Sequence, residues 1–217
     1  MRDVGFEPRV TDAATGANDL FQLRARVSCT VLGFSQRLRL ERHLMNKLSA
    51  APVLTSERLV LRGPERDDLP AFTRFMTSAP SMEAQGETVT AEQAWFGFLT
   101  GIGHWHWHGF GFFIVVEKKT GQPVGRVGLI KHSNWPDIEL AWHLFEEGEG
   151  KGFATEAAIA VKKWAREELG LDRLYSYIDR ENVRSQAVAK RLGAITDGKR
   201  APHEPEAEVW VHAMENH

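Results

Sequence analysis

The chain has 217 residues, 42% hydrophobic and 26% charged, which predicts one domain with a substantial core and room for an appendage. Its net charge of −2 offers no global field for nucleic acid or anionic membrane, and Cys29 as the single cysteine excludes an intrachain disulfide framework or cysteine metal site. With no apolar run of spanning length and no secretory h-region at the start, a soluble cytoplasmic protein is expected.

Residues 1–50 read differently from the rest. Met1 to Asn18 mixes Gly, Pro, Asp and Thr without a period. Gln22 to Lys47 is Arg-rich, and Phe34, Leu38, Leu44 and Leu48 fall near the spacing of a weak amphipathic helix. Asp3, Glu7, Asp12 and Asp19 argue against a mitochondrial transit peptide. The expected division is an extension over residues 1–50, outside the fold, and one domain over residues 51–217. Met45 is a candidate true start.

From Leu54 onward the pattern sharpens. Arg58 to Arg62 alternates and predicts a strand. Asp67 to Met76 predicts a helix capped by Asp67 or Asp68, with a stripe of Leu69, Phe72 and Phe75. A second helix is expected from Thr90 to about Gly103, burying Trp95, Phe98, Leu99 and Ile102. Phe110–Glu117, Pro123–Lys131 and Ile138–Phe145 read as three successive antiparallel strands joined by short polar turns. A Gly-rich turn then opens a long helix ending near Leu169, with Ala154, Ala158, Val161, Ala165 and Leu169 as its apolar positions. Leu174–Ile178 reads as a strand, Val183–Leu192 as a helix with Gly193 just past its end, and Glu208–Ala213 as a last strand. That last strand is a candidate free edge for dimerisation. The order is mixed α/β, with early helices, an antiparallel meander and a βαβ crossover.

The turn is the most informative stretch. Glu149-Gly150-Lys151-Gly152-Phe153-Ala154-Thr155-Glu156-Ala157 joins a strand to a helix. Gly150 and Gly152 admit close approach to the backbone, Ala154 keeps the entrance open, Thr155 offers a hydroxyl and Lys151 a charge. Freed N–H groups and the helix dipole favour an anion, above all phosphate. The spacing is neither the dinucleotide fingerprint, since Thr155 stands where a third Gly belongs, nor a P-loop, since Phe153 follows Gly152. An ordinary strand-to-helix turn is the competing reading.

His104, His106 and His108 would share one face if their segment were a strand, at metal-binding spacing. No acidic or Cys ligand follows them, and Gly109 and Gly111 break the regularity. Trp105, Trp107, Phe110 and Phe112 are therefore expected to share core packing with one wall of an acceptor groove. Arg126 and Lys131 read as solvated strand charges.

Two linked motifs carry a resemblance. Glu149-x-x-Gly152-x-Ala154, followed by Asn182, Ser185 and Leu192-Gly193-Ala194, resembles the GCN5-related N-acetyltransferase (GNAT) superfamily. Gly150 to Ala157 and the opening Leu54 to Arg62 look like its RimJ/RimL type, which acetylates ribosomal-protein N-termini. The resemblance spans about Leu54 to Ala213. It implies a GNAT α/β (α+β) fold, with a mixed, mostly antiparallel sheet of six to seven strands and about four helices.

It also implies acetyl-CoA as co-substrate, a primary amine acceptor and no metal. No nucleic acid or membrane partner is expected, and the protein would be a monomer or homodimer. The turn residues Glu149, Gly150, Lys151, Gly152, Phe153, Ala154 and Thr155 would hold the pyrophosphate, with Asn182 and Lys190 beside the cofactor. Backbone around Trp142, His143 and Leu144 would hold pantetheine and the thioester. Glu139 would be the general base, through water in similar enzymes, and Ser185 the donor to the leaving thiolate. Asn182 would assist as a catalytic-loop residue and cap its helix. A carboxylate between Ile138 and Leu140 should also be desolvated and raised in pKa, which supports the role independently. The competing readings are a solvent-facing Glu139 and a first-turn helix Ser185.

Two positions depart from the family pattern. Glu149 stands where Arg or Gln is usual, and Ala189 occupies the place of a Tyr general acid. They motivate the alternative of a non-catalytic acyl-CoA sensor; a plain nucleotide-phosphate binder is disfavoured by the spacing. The acceptor is expected to be shaped by residues from Met82 to Trp107. A chain begun at Met45 is expected to fold and to unfold cooperatively on heating; failure to fold would place the extension inside the structure.

Overall fold

The computed structural model describes residues 51–78, 82 and 89–214. The expectations for residues 1–50, and for 83–88 in the acceptor-shaping stretch, lie outside the described residues. Among the described residues eight strands form one sheet, in the order β1-β2-β3-β4-β5-β6-β8-β7, with four α-helices. The expected class holds; the two strands beyond six are two-residue pieces at the edges.

Strand β1 (Leu54–Thr55) hairpins onto β2 (Leu59–Arg62). Strands β3 (Phe112–Glu117), β4 (Pro123–Ile130) and β5 (Glu139–Leu144) form the antiparallel meander. Strand β6 (Arg173–Asp179) runs parallel to β5 after a helical crossover and pairs antiparallel with β8 (Glu204–Ala213). The last strand is not the free edge expected: β7 (Arg200–Ala201) and a bridge from Ile195 to Val211 cover much of it. Strand alternation gives the sheet two faces.

On one face lies helix α3 (Phe153–Leu169). Its Ala157, Ala158, Val161 and Ala165 are fully buried against Leu59, Leu61, Val127, Leu129 and Leu140. Small residues at one helical stripe let the helix axis approach the strands closely. The opposite face receives α1 (Leu69–Ser78), whose Phe75 ring lies 5.7 Å from His143.

Helix α2 (Ala91–His108) starts at a capping box, with Thr90 Oγ1 accepting the Gln93 N–H and Gln93 Oε1 accepting the Thr90 N–H. It runs five residues past the expected end near Gly103 and stops at Gly109, whose φ is +74°. Packing overrides the helix-weakening glycines here. Trp105, 3% exposed, T-stacks on Phe113 and donates its Nε1–H to Phe112 O at 2.9 Å. The buried stripe is also rotated from expectation: Ala94, Phe98 and Trp105 are inside, whereas Trp95 and Leu99 are 44% and 42% exposed.

Two carboxylates fix the ends of elements. Asp68 is 2% exposed and does cap, one turn earlier than a simple N-cap. It accepts the Glu65 N–H at 2.7 Å and grips Arg62 through Nη1 and Nη2 at 2.7 and 2.8 Å. Glu156, in the first turn of α3, accepts the Ser56 hydroxyl at 2.7 Å and the Arg58 N–H at 2.8 Å, and pairs with the Arg58 guanidinium at 2.6 Å. It clamps the start of α3 to the β1–β2 hairpin. Burial opposes its ionisation, but these donors outweigh it and hold its pKa below the ordinary value.

Removing one partner of a buried charged pair leaves the other uncompensated. Asp68→Ala is expected to cost about 3 kcal/mol, lowering Tm by roughly 9 °C in a thermal unfolding scan. Glu156→Ala loses charged hydrogen bonds of about 2 kcal/mol in all. Because the folded pKa of Glu156 is depressed, its contribution is present above the unfolded value near 4.5 and is lost as pH falls through the folded value. The difference in Tm between wild type and Glu156→Ala should therefore be largest near neutrality and shrink below pH 4.5; a gap constant with pH would rule out the ionised clamp.

Candidate functional site

The site begins where two parallel strands part. β5 and β6 share one register pair, Glu139 with Tyr175. The Tyr175 N–H reaches Ile138 O at 3.2 Å. Beyond that point side chains replace the ladder. Ser176 Oγ donates to Leu140 O at 2.6 Å, and the Glu139 carboxylate accepts the Tyr177 N–H at 3.3 Å.

Ser176 is in turn held by His212 Nε2 at 2.9 Å. The serine proton is committed to the carbonyl, so His212 must carry its hydrogen on Nε2. Burial and the Lys162 charge push the His212 pKa down to about 3, keeping the ring neutral. Past Leu140 the strands diverge. Alternation turns the backbone N–H and C=O of Trp142 and Leu144 to the same edge as those of Ile138, so they face the opening.

His143 differs from its two neighbours. Its backbone points to β4, opposite Arg126. Its Nδ1 accepts from Arg126 Nε at 2.9 Å, and burial together with the Arg126 charge holds its pKa well below the usual value. Arg126 is correspondingly no solvated strand charge: its guanidinium lies 4.4 Å from the Phe112 ring centroid and 4.8 Å from that of Phe72. Lys131 also has structural duties, its Nζ donating to Pro136 O at 2.6 Å.

The Gly-rich turn stands at the C-terminal end of β5. Gly150 and Gly152 have φ of +72° and +79°, the left-handed region that other residues avoid. Gly152 is the N-cap of α3 and supplies no side-chain cap, so the first N–H groups of the helix are left for a ligand. Phe153 contributes backbone only: its ring is 2% exposed, under the Arg58 guanidinium at 4.8 Å. Ala154 and Thr155 are half-buried in the first turn, and Lys151 is exposed above it.

Helix α4 (Val183–Arg191) begins at the C-terminal end of β6, across the opening. Asn182 Oδ1 accepts the Ser185 N–H at 3.0 Å, the N-cap geometry expected. The Trp142 indole donates to Ser185 Oγ at 3.3 Å, spanning the gap from β5 to α4. Ala189 is fully buried, so no hydroxyl stands at that turn of the helix. Lys190 lies about 12 Å along the helix from Asn182; its ammonium sits over Trp210 at 5.8 Å and is not brought to the turn.

Glu139 is buried at 8% exposure on the face opposite α3. Burial pushes its pKa up to about 8; the Tyr177 N–H opposes this and the Glu204 charge adds to it. The expectation of a desolvated carboxylate holds, and the solvent-facing alternative does not. On the same face Tyr175 and Tyr177 line a cleft of about 420 Å³ with Pro136, Asp137, Val209 and Val211.

The histidine run is helical, so His106 leaves the other two. His104 accepts the Lys131 N–H on Nε2 at 3.1 Å and bonds Phe110 O through Nδ1 at 2.8 Å, tying off the end of α2. Among the described residues no group of three or more His, Cys, Asp or Glu side chains is gathered to hold a metal. Trp105 and Phe110 are core, while Trp107 is 84% exposed.

Sequence reasoning missed Ser176 and His212, which no local motif marks, and the role of Glu156. It also missed Arg184, whose Nη2 lies 2.7 Å from Glu149 Oε2.

Comparison with known proteins agrees with this geometry. An acetyltransferase (GNAT) domain model matches residues 58–195. The acetyltransferase of Agrobacterium tumefaciens is 35% identical with a TM-score of 0.69, over 75% of this chain and 94% of that one. A ribosomal-protein-S5-alanine acetyltransferase from Vibrio fischeri shares the fold at 19% identity and a TM-score of 0.57, over 76% of this chain and 98% of that one. The uncharacterized N-acetyltransferase YnaD of Bacillus subtilis is 24% identical over 72% of this chain and 91% of its own length. The chain belongs to the GNAT acetyltransferase family.

Proposed function

We propose that the protein transfers an acetyl group from acetyl-CoA to a primary amine by direct attack on the thioester. One observation carries this reading. The opening between β5 and β6 is flanked by an uncapped Gly-rich helix start on one side and by a buried carboxylate with raised pKa on the other. The diphosphate would lie on the turn from Glu149 to Thr155. Pantetheine would pair along the edge of β5 with the free backbone groups of Trp142 and Leu144.

The chemistry needs a neutral amine, a stabilised oxyanion and a protonated leaving group. Nitrogen bonds to the thioester carbon as the amine gives up a proton to Glu139. The tetrahedral intermediate then collapses, breaking the carbon–sulfur bond. In this reading Ser185 donates to the departing sulfur. Because the Trp142 indole is itself a donor, Ser185 keeps its own hydrogen available. Asn182 fixes the turn that carries Ser185. The buried Ala189 supports this assignment over a tyrosine acid from α4.

A protein N-terminus is the favoured acceptor. An α-amine has a pKa of about 8 against about 10.4 for a lysine side chain, so at neutral pH roughly a tenth of the former is neutral and well under a thousandth of the latter. A single carboxylate base suffices for the first. The Vibrio fischeri fold neighbour is named for acetylating an alanine of ribosomal protein S5, a protein acceptor. The earlier reason for a non-catalytic sensor weakens, because Arg184 neutralises the carboxylate that stood against phosphate.

The test follows CoA thiol release with N-terminal peptides and small amines. Wild type should turn over, and Glu139→Gln should lose about a hundredfold or more in kcat with acetyl-CoA affinity unchanged. The rate should rise with pH through a limb near 8, the value to which burial raises Glu139. An identical limb in Glu139→Gln would assign it to the amine and remove Glu139 as the base. Tight acetyl-CoA binding without turnover of any acceptor would leave the sensor reading.

A further inference from the structure

We propose that Arg184 is a diphosphate-binding residue, held over the Gly-rich turn by Glu149. The inference rests on the acetyl-CoA reading of that turn. Its starting point is a conflict of charge. A carboxylate at Glu149, three residues before the N-cap of α3 on the far side of Gly150 and Lys151, would repel an anion bound there. The structure resolves the conflict with a residue from another element. Arg184 sits in the first turn of α4 and reaches across the opening to place Nη2 at 2.7 Å from Glu149 Oε2.

Exposed ion pairs add little to stability, so the position of this one matters more than its strength. The Arg184 side chain is 64% exposed and that of Glu149 31%. A guanidinium has five N–H donors in a rigid fork and keeps its charge at every relevant pH. With one end on Glu149, the remaining donors of the fork would be open to a diphosphate lying on the turn. The carboxylate orients the fork in advance, which lowers the ordering cost of binding.

Arg58, the other guanidinium at the turn, shows what a committed one looks like. It donates through Nε to Glu156 at 2.7 Å and through Nη1 to Lys151 O at 3.0 Å, and its Nη2 pairs with Glu156 at 2.6 Å. Arg58 is a structural clamp of the turn. Arg184, delivered from α4, has the geometry of a ligand-side cation.

The simplest rival is that Arg184 merely neutralises Glu149. A double-mutant cycle separates the two, read by calorimetric titration of the full chain with CoA and with dephospho-CoA. Arg184→Ala is expected to weaken both ligands by about ten- to a hundredfold, the range for a charged hydrogen bond. A smaller loss should persist in the Glu149→Gln background, where the fork is no longer oriented in advance, and Arg184→Lys should recover only part of it. Loss that vanishes in Glu149→Gln would reduce Arg184 to a neutraliser and overturn the proposal. Loss with CoA alone would move the contact to the 3′-phosphate, and no loss in either background would remove it; both overturn the proposal. If wild type bound neither ligand, the acetyl-CoA reading itself would fall, which the wild-type titration shows before any variant is made.

Discussion

The structure depends on the parting of two parallel strands. A parallel pair normally continues its slanted ladder to the strand ends, and a buried backbone group left without a partner is costly. Here the ladder stops after Glu139 and Tyr175. The break is tolerated because three side chains take over its hydrogen bonds at the fork. The Ser176 hydroxyl donates to the Leu140 carbonyl, Glu139 accepts the Tyr177 N–H, and His212 fixes the serine from β8. Past the fork, open backbone is tolerable only where a ligand or water reaches it. The same divergence that weakens the sheet creates a strand edge inside the domain, where an extended ligand can be read by main-chain pairing.

Both helix starts at the opening follow from this arrangement. Parallel strands end on the same side of the sheet, so the helices after β5 and β6 start side by side. Ligands favour the crevice beyond such strand ends. Each start is then braced differently. Glu156 ties α3 to the N-terminal hairpin, and Asn182 caps α4. Glu149 and Arg184 join the two across the opening. The side of the site proposed to hold phosphate is thus assembled from three separate parts of the chain.

Much of this was legible in the sequence, for local reasons. Alternation marked the meander, and Gly150 and Gly152 marked the turn because positive φ demands glycine there. Asn182 followed by Ser185 marked a cap. The failures share a cause, which is tertiary packing. Helix α2 ran through Gly101 and Gly103 because Trp105 and His104 anchor its last turn to β3 and β4. Arg126 looked solvated because its partners, His143 and Phe112, come from other strands. Ser176 and His212 lie 36 residues apart and belong to no motif. The short edge strand β7 was invisible because two residues carry no period.

Glu139 shows how function is set against stability at the fork. Its carboxylate must be ionised to accept a proton and also to accept the Tyr177 N–H strongly. Burial works the other way and raises its pKa to about 8. The folded state therefore holds this proton more tightly than the unfolded chain does. Its stabilising contribution is complete below pH 4.5 and is lost as pH rises through about 8. The protein is thus least helped by Glu139 in the pH range where the residue becomes a base. A solvated carboxylate would avoid that conflict, but its pKa near 4.5 would make it too weak an acceptor for an amine proton at neutral pH. In the proposed mechanism the desolvation that costs stability is the property that would suit the residue to the chemistry, and the hydrogen-bonded fork of Ser176 and His212 holds the strands in place around it.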